Sequence, residues 1–511
     1  MTRSLAAIPC RPLGGACRRI PWPQDVAALF AGLAERRGCV WLDSAGGPAG
    51  LARWSVLAAE PSAVLVSRGG TTRLEAADGG VIAASGRNPF EVLRECLAAS
   101  PIEGGGPARL PFGPGLYGYL SYDFALHVEP TAGLAPRDDI ALPDLWFGIY
   151  EAVLVLDHQM QQAFIVGGES VGLEIIEKAL ATPAVSAPSV RIPSVREVAC
   201  NMSPDEFREA IAKALEYIAA GDIYQVNLSR RYTVSLAPAA GSSLSGTGGR
   251  PLNPSPLMGE GGHERPAYPG GPRWADLYLR LRQANPAPYA AYIDVGGGAA
   301  VLSSSPELFL DLRGGRIVTR PIKGTRPLRP GAEAANTLAR EALIRSEKDR
   351  AELTMIVDLE RNDLGRVSDY GTVRVTEPRT VEAYAAVYHT VATVEGRLHA
   401  GRDVVDLLKA TFPGGSITGA PKVRAMQIIA ELEPTRRSVY TGAVGYLAPP
   451  SDGEHAGQCA LNIAIRTLIG SGEAVHVQVG GGIVADSDPQ AELQETSDKA
   501  RAMLAALGLS P

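Results

Sequence analysis

No stretch of this 511-residue chain is apolar for long enough to span a bilayer. The arginines near its start are followed by no continuous apolar segment of signal length, so neither export nor membrane insertion is expected. Polybasic clusters and basic amphipathic helices are also missing. With a net charge of −6 and a pI near 5.8, the chain offers no attractive field to nucleic acid or to an anionic membrane surface. Cysteine is sparse: the six residues, at 10, 17, 39, 96, 200 and 459, have neither the paired spacing of a zinc site nor the density of a disulfide scaffold. These absences predict a soluble cytoplasmic protein acting on a small molecule, and 45% hydrophobic content is ample for a core.

Glycine and proline, by contrast, are plentiful, and they punctuate the chain. From about residue 20 to 180, short apolar stretches such as Ala63-Val64-Leu65-Val66 and Ala152-Val153-Leu154-Val155-Leu156 alternate with turns and a few helices. This predicts a strand-rich N-terminal domain over 1–182. Residues 183–195, with Pro183, Pro188 and Pro193 among small residues, read as a linker. A second domain, 196–511, opens on Ser203-Pro204-Asp205-Glu206, where serine can cap a helix and proline fits its first turn. Within it, about 237–272 is rich in Gly, Pro and Ser with few large apolar residues, and is expected to be a disordered surface insertion. Strands at 289–295, 299–302 and 316–320, a long helical stretch at 332–359 and a final helix at 489–507 complete an α+β pattern of large mixed or antiparallel sheets flanked by helices.

Several residues in this second domain have chemical potential. Lys323, between two arginines in Arg320-Pro321-Ile322-Lys323-Gly324-Thr325-Arg326, is a candidate nucleophile, because neighbouring positive charge or a dry pocket drives an amine toward its reactive neutral form. Glu307 is either a general acid or base near it, or the partner of an arginine. Asp349 with Glu352, and Glu492 with Glu495, project as pairs from helical faces. They are either ordinary solvated charges or the oxygen ligands of a hard cation such as Mg2+, which takes one or two carboxylates directly and keeps waters. The run Phe412–Lys422, with Ser416, Thr418 and Gly419, leads into a helix whose N-terminal amides would favour a carboxylate, and Gly480-Gly481-Gly482 allows backbone amides close to a ligand. Arg466, in an apolar strand, needs an anionic partner if buried. His389 among apolar neighbours is either a core residue or a catalyst.

Taken in order, six segments resemble the chorismate-utilising enzymes, and among them the aminodeoxychorismate synthases, which aminate chorismate at C4. They are Asp222–Ser229, Ser304-Ser305-Pro306-Glu307, Pro321–Thr325, Asp358–Arg366, Gly414–Lys422 and Gly480–Ser487. The resemblance covers nearly all of 195–511 outside the insertion, and the N-terminal region more loosely. Isochorismate and salicylate synthases carry a lysine base where Gln225 stands, and anthranilate synthases typically have alanine where Lys323 stands, so the lysine favours C4 amination over the anthranilate alternative. The resemblance implies a chorismate-binding fold, Lys323 as covalent nucleophile, Glu307 as proton donor, and His389, Ser416 and Thr418 lining the pocket with Gly419 in the same loop. It further implies Tyr440, Arg466, Lys499 and the amides of Gly480 and Gly482 on substrate carboxylates. Mg2+ would sit on Glu352 and Glu495, with Asp349 and Glu492 acting through water.

Ammonia is expected from a separate glutamine amidotransferase subunit, since Gly457-Gln458-Cys459-Ala460-Leu461 lacks the second glycine of a nucleophile turn. Trp41-Leu42-Asp43-Ser44 resembles a tryptophan-binding segment of relatives, with Leu42 and Ser44 at a pocket, or is plain core. A catalytically idle protein binding tryptophan or an amidotransferase is the alternative of another class. Such a protein has no physical need of four mutually repelling carboxylates.

Overall fold

The computed structural model describes residues 13–44, 46–48, 50–100, 102–103, 110–182, 194–237, 271–450 and 456–509. Most of the 183–195 linker and of the 237–272 insertion therefore lies outside the described residues. Two large antiparallel sheets of twelve strands each dominate, with helices packed against them. The boundary expected near 183–195 does not divide the sheets. In one, Gly115–Leu120 pairs with Ala443–Ala448; in the other, Val40–Asp43 pairs with Tyr289–Gly296 in the register Trp41 to Tyr292. Among the described residues no helix is long and apolar enough to cross a membrane.

Local chemistry explains where the elements begin. In helix Pro204–Ala219, Ser203 accepts from the Glu206 amide while the Glu206 carboxylate accepts from the Ser203 amide, a reciprocal cap contributing about 1 kcal/mol. Its buried residues Phe207, Ala210, Ile211 and Ala214 form one stripe at helical spacing. The long helical stretch expected at 332–359 is two helices, Glu333–Arg345 and Glu347–Gly365. They are separated by Ser346, which turns extended and accepts from the Asp349 amide. A hydroxyl that satisfies a helix-end donor favours starting a new helix over continuing the old one. Asp349 is thereby placed in a first turn, at the positive end of the helix dipole.

The core is aromatic on one side. Phe30, Trp41, Tyr278 and Tyr292 are fully buried and pack with centroids 4.7 to 5.7 Å apart. Such pairs add about 0.5–1.5 kcal/mol each beyond their buried area. In the other sheet, a Cβ on Gly118 would stand 1.9 Å from the Trp146 carbonyl oxygen, so only glycine lets these strands pass.

Two crossings decide where chemistry can occur. Ala299–Ser305 lies in one sheet and Leu308–Arg313 in the other, and the chain passes between them at Pro306 and Glu307. Gln458–Ile463 and Thr467–Ser471 are likewise in different sheets, joined through Arg466. The crossings are bonded together: the Ile463 amide donates to the Glu307 carbonyl at 3.1 Å and the Ser304 amide to the Arg466 carbonyl at 3.0 Å. Arg466 therefore does not sit within a strand, as its apolar surroundings in sequence suggest, but at a bend with φ 52°.

Candidate active site

Lys323 lies on strand Ile322–Pro327, opposite Thr390 of strand Val387–Arg397. Its Nζ donates to the Ser416 carbonyl at 3.1 Å. The next residue, Gly324, has φ 76°, and a Cβ there would meet Asp349 Cγ at 2.8 Å. Glycine thus lets the acid-bearing helix approach the lysine strand. Burial lowers the amine's pKa, Lys499 lowers it further, and Glu352, Glu307 and Glu495 oppose them. The flanking arginines are not the cause expected from sequence. Arg320 pairs with Glu382 at 2.5 Å and Arg326 with Asp349 at 3.1 Å, so both charges are offset by carboxylates.

Glu307, 4% exposed, accepts a hydrogen bond from Ser416 Oγ at 2.6 Å. Burial raises its pKa, against the opposing pull of Ser416 and then Lys323. Ser416 therefore serves both groups, through its hydroxyl and its carbonyl. It sits in the tight turn Gly415–Ile417, closed by the Thr418 hydroxyl donating to the Gly414 carbonyl at 3.0 Å. Gly419 follows with φ 143°, where a Cβ would stand 2.1 Å from the Gln225 carbonyl oxygen. His389 is buried, with Nδ1 3.0 Å from Thr325 Oγ1, and burial together with the Arg466 charge lowers its pKa to about 4. It is neutral at physiological pH.

The three consecutive glycines continue the strand Ala474–Ile483 instead of leaving it. Its neighbour Thr467–Ser471 pairs only as far as Val477, so beyond that point one backbone edge has no strand beside it among the described residues. Lys499 reaches this edge, donating to the Gly480 carbonyl at 2.9 Å, while pairing with Glu495 at 2.6 Å. A Cβ on Gly480 would meet Tyr440 Oη at 3.0 Å, one on Gly481 the Glu492 Oε2 at 3.1 Å, and one on Gly482 the Gln225 Nε2 at 2.7 Å and Lys323 Nζ at 3.8 Å. Arg466 donates to the Lys499 carbonyl at 2.8 Å; burial lowers its pKa, while Tyr440 and Glu495 raise it.

The four acids come from helix Glu347–Gly365 and helix Pro489–Ala506. Lys348 stands between them, 3.9 Å from Glu352 and 3.8 Å from Glu492. Burial raises the pKa of Glu352 and Glu492, whereas Lys499 chiefly lowers that of Glu495. Among the described residues no group of three or more His, Cys, Asp or Glu is arranged to hold a metal ion. Leu42 and Ser44 belong to another part of the fold. Ser44 Oγ donates to the Trp54 carbonyl at 2.6 Å, and neighbouring Asp43 is buried on Arg282 and Tyr278.

This constellation matches known proteins over most of its length. The chorismate binding enzyme family matches residues 38–256 and 267–505. The chain belongs to that family. It is 37% identical to aminodeoxychorismate synthase component 1 of Klebsiella aerogenes, covering 95% of this chain and 97% of that protein. Anthranilate synthase component 1 of Streptomyces coelicolor is 39% identical over 83% of this chain and 78% of its own length. In structure, anthranilate synthase component I from Streptococcus pneumoniae superimposes with a TM-score of 0.69 at 32% identity, covering 88% of this chain and 92% of the other.

For a chorismate-binding enzyme, three features escaped the sequence-based site. Gln225 is 0% exposed and both polar atoms of its amide lack partners. The Thr390 hydroxyl, opposite Lys323, is also buried and unpartnered. Lys348 bridging the acids was accessible as a charge pair four residues from Glu352. Gln225 stood out in sequence only as the place of a lysine base in related synthases, and that it and Thr390 are unpartnered had no local signal, because partnering depends on what surrounds a side chain.

Proposed function

We propose that this chain is the chorismate-aminating component of an aminodeoxychorismate synthase, making 4-amino-4-deoxychorismate for para-aminobenzoate and folate synthesis. A separate glutamine amidotransferase subunit supplies the ammonia. The observation that carries this reading is the pairing of Lys323 with Glu307 on one residue, Ser416, with burial pushing the amine toward neutrality and the acid toward its protonated form. These are the states a nucleophile and a proton donor need at neutral pH.

In the first step the Lys323 nitrogen bonds to C2 of chorismate, both conjugated ring double bonds shift by one position toward C4, and the C4–oxygen bond breaks. Glu307 delivers its proton to the departing hydroxyl, which leaves as water. Ammonia then bonds to C4, both ring double bonds shift back, and the C2–nitrogen bond breaks. The surplus proton on nitrogen returns to Glu307. Arg466, Lys499, Tyr440 and the amides of Gly480 and Gly482 hold the substrate carboxylates, fixed donors that need no rearrangement as charge moves. His389 presents a neutral face, and the unpartnered amide of Gln225 and hydroxyl of Thr390 are free to meet the substrate.

The acids suit a hard cation: their donors are all carboxylate oxygens, and a Lys348 ammonium already lies between two of them. Glu352 and Glu495 would hold Mg2+ directly, with Asp349 and Glu492 acting through water. Bound there, the ion would neutralise the ring carboxylate of the substrate.

Anthranilate synthesis is the second reading, favoured by 39% identity to the Streptomyces coelicolor protein. Incubation with chorismate, Mg2+ and an ammonium salt separates the two. A 4-amino product that a lyase converts to para-aminobenzoate is expected; fluorescent anthranilate formed directly would replace this reading with the second. Leu42 and Ser44 as a tryptophan pocket are tested by calorimetry with tryptophan, where heat of binding lost in Ser44→Ala is expected and no heat in the parent refutes it.

A further inference from the structure

Beneath the Gly415–Ile417 turn lies a buried acid that the proposed chemistry leaves unused. Glu360, 2% exposed, belongs to helix Glu347–Gly365. Its Oε1 accepts from the Gly415 amide at 3.2 Å, while its Oε2 is buried without a partner. Asp363, one turn further along the helix, is equally buried and takes the ammonium of Lys422, which also donates to the Thr411 carbonyl at 2.9 Å. Arg366, nearer Asp363, donates to the Ala410 carbonyl at 3.2 Å. On the far side of the turn stands Glu307. Lys422, the cation that acts on Glu360, is thus already taken by Asp363, and among the described residues Glu360 has no ion pair of its own.

We propose that Glu360 is a positioning residue that works as the neutral acid, seating the Gly415–Ser416 turn so that Glu307 and Lys323 meet a dicarboxylate substrate correctly. The inference rests on the chorismate-amination reading above. The route is short: Glu360 bonds Gly415, and the adjoining Ser416 donates its hydroxyl to Glu307 and offers its carbonyl to Lys323. Burial, then Asp363 and Glu307, push the Glu360 carboxyl well above the ordinary range, against Lys422 and the Gly415 amide. Ionisation would place a new negative charge behind a pocket that must accept a dianion, where low dielectric magnifies repulsion.

The test uses the full chain with chorismate, Mg2+ and ammonium salt, comparing kcat/KM from about pH 6 to 10 for the parent, Glu360→Gln and Glu360→Ala. Taking the ratio of parent to variant at each pH cancels the changing supply of free ammonia. The amide mimics the neutral acid, so the ratio of parent to Glu360→Gln should be constant at low pH. It should then fall about tenfold per pH unit once the parent's carboxyl ionises. Glu360→Ala should raise KM at every pH, with no added alkaline fall. Superimposable profiles for parent and Glu360→Gln would overturn the proposal. Infrared spectra need no turnover: subtracting the Glu360→Gln spectrum from that of the parent at pH 7 should leave one neutral carboxylic acid carbonyl band that belongs to Glu360. Its absence in the parent overturns the proposal. If the band is present but no amino product forms, the functional reading fails instead.

Discussion

Replacing Lys323 by alanine has three consequences at once. The proposed nucleophile goes, an amine that donates to the Ser416 carbonyl at 3.1 Å. Well-oriented intramolecular attack is worth about 7 kcal/mol or more over a free encounter. Even half of that, about 4 kcal/mol, is roughly a thousandfold in rate. Second, Glu307 and Glu352 lose a neighbour that lowers their pKa, so both rise further. The proposed proton donor thus stays in its neutral, protonated form, and the fall in rate cannot be blamed on losing it. Third, the vacated volume next to C2 admits ammonia directly, which should divert residual turnover toward 2-amination. The assay is product analysis by chromatography with and without the lyase, alongside mass spectrometry of acid-quenched parent enzyme for a chorismate-derived adduct on Lys323. Circular dichroism checks that the variant is folded. A folded Lys323→Ala protein that keeps C4 amination within about tenfold of the parent would refute the covalent role.

Gly324→Ala forces a side chain onto a left-handed residue and into Asp349 Cγ at 2.8 Å, and should cost about 2–4 kcal/mol, read as a lowered melting temperature; an unchanged value contradicts the close approach. His389 has a folded pKa of about 4, below its unfolded value, so the unfolded chain binds more protons between those limits. Its contribution is complete above about pH 6.5 and lost as pH falls toward 4, about 3 kcal/mol in all. Denaturant unfolding across that window should flatten in His389→Gln, and an identical slope refutes the neutral buried ring. Glu352→Gln and Glu495→Gln should each raise the Mg2+ concentration for half-maximal activity at least about tenfold, whereas an unaltered Mg2+ titration in both would place the ion elsewhere.

By itself, the sequence determined what is local or ordered along the chain. The Ser203 cap is decided within four residues, and the strands Ala63–Arg68 and Arg316–Arg320 follow from their own patterns. The six motifs were enough to identify the family, because each is a short run of fixed residues. Only the tertiary structure decided that both sheets draw on both halves of the chain, that Glu307 and Arg466 sit where the backbone passes between those sheets, and that Arg320 and Arg326 are paired with Glu382 and Asp349. The amine's lowered pKa comes from burial among groups sixteen or more residues away in sequence, and the orphaned Gln225 amide from what fails to surround it. Desolvation and hydrogen-bond satisfaction are properties of an environment assembled from distant segments, so no local pattern can carry them.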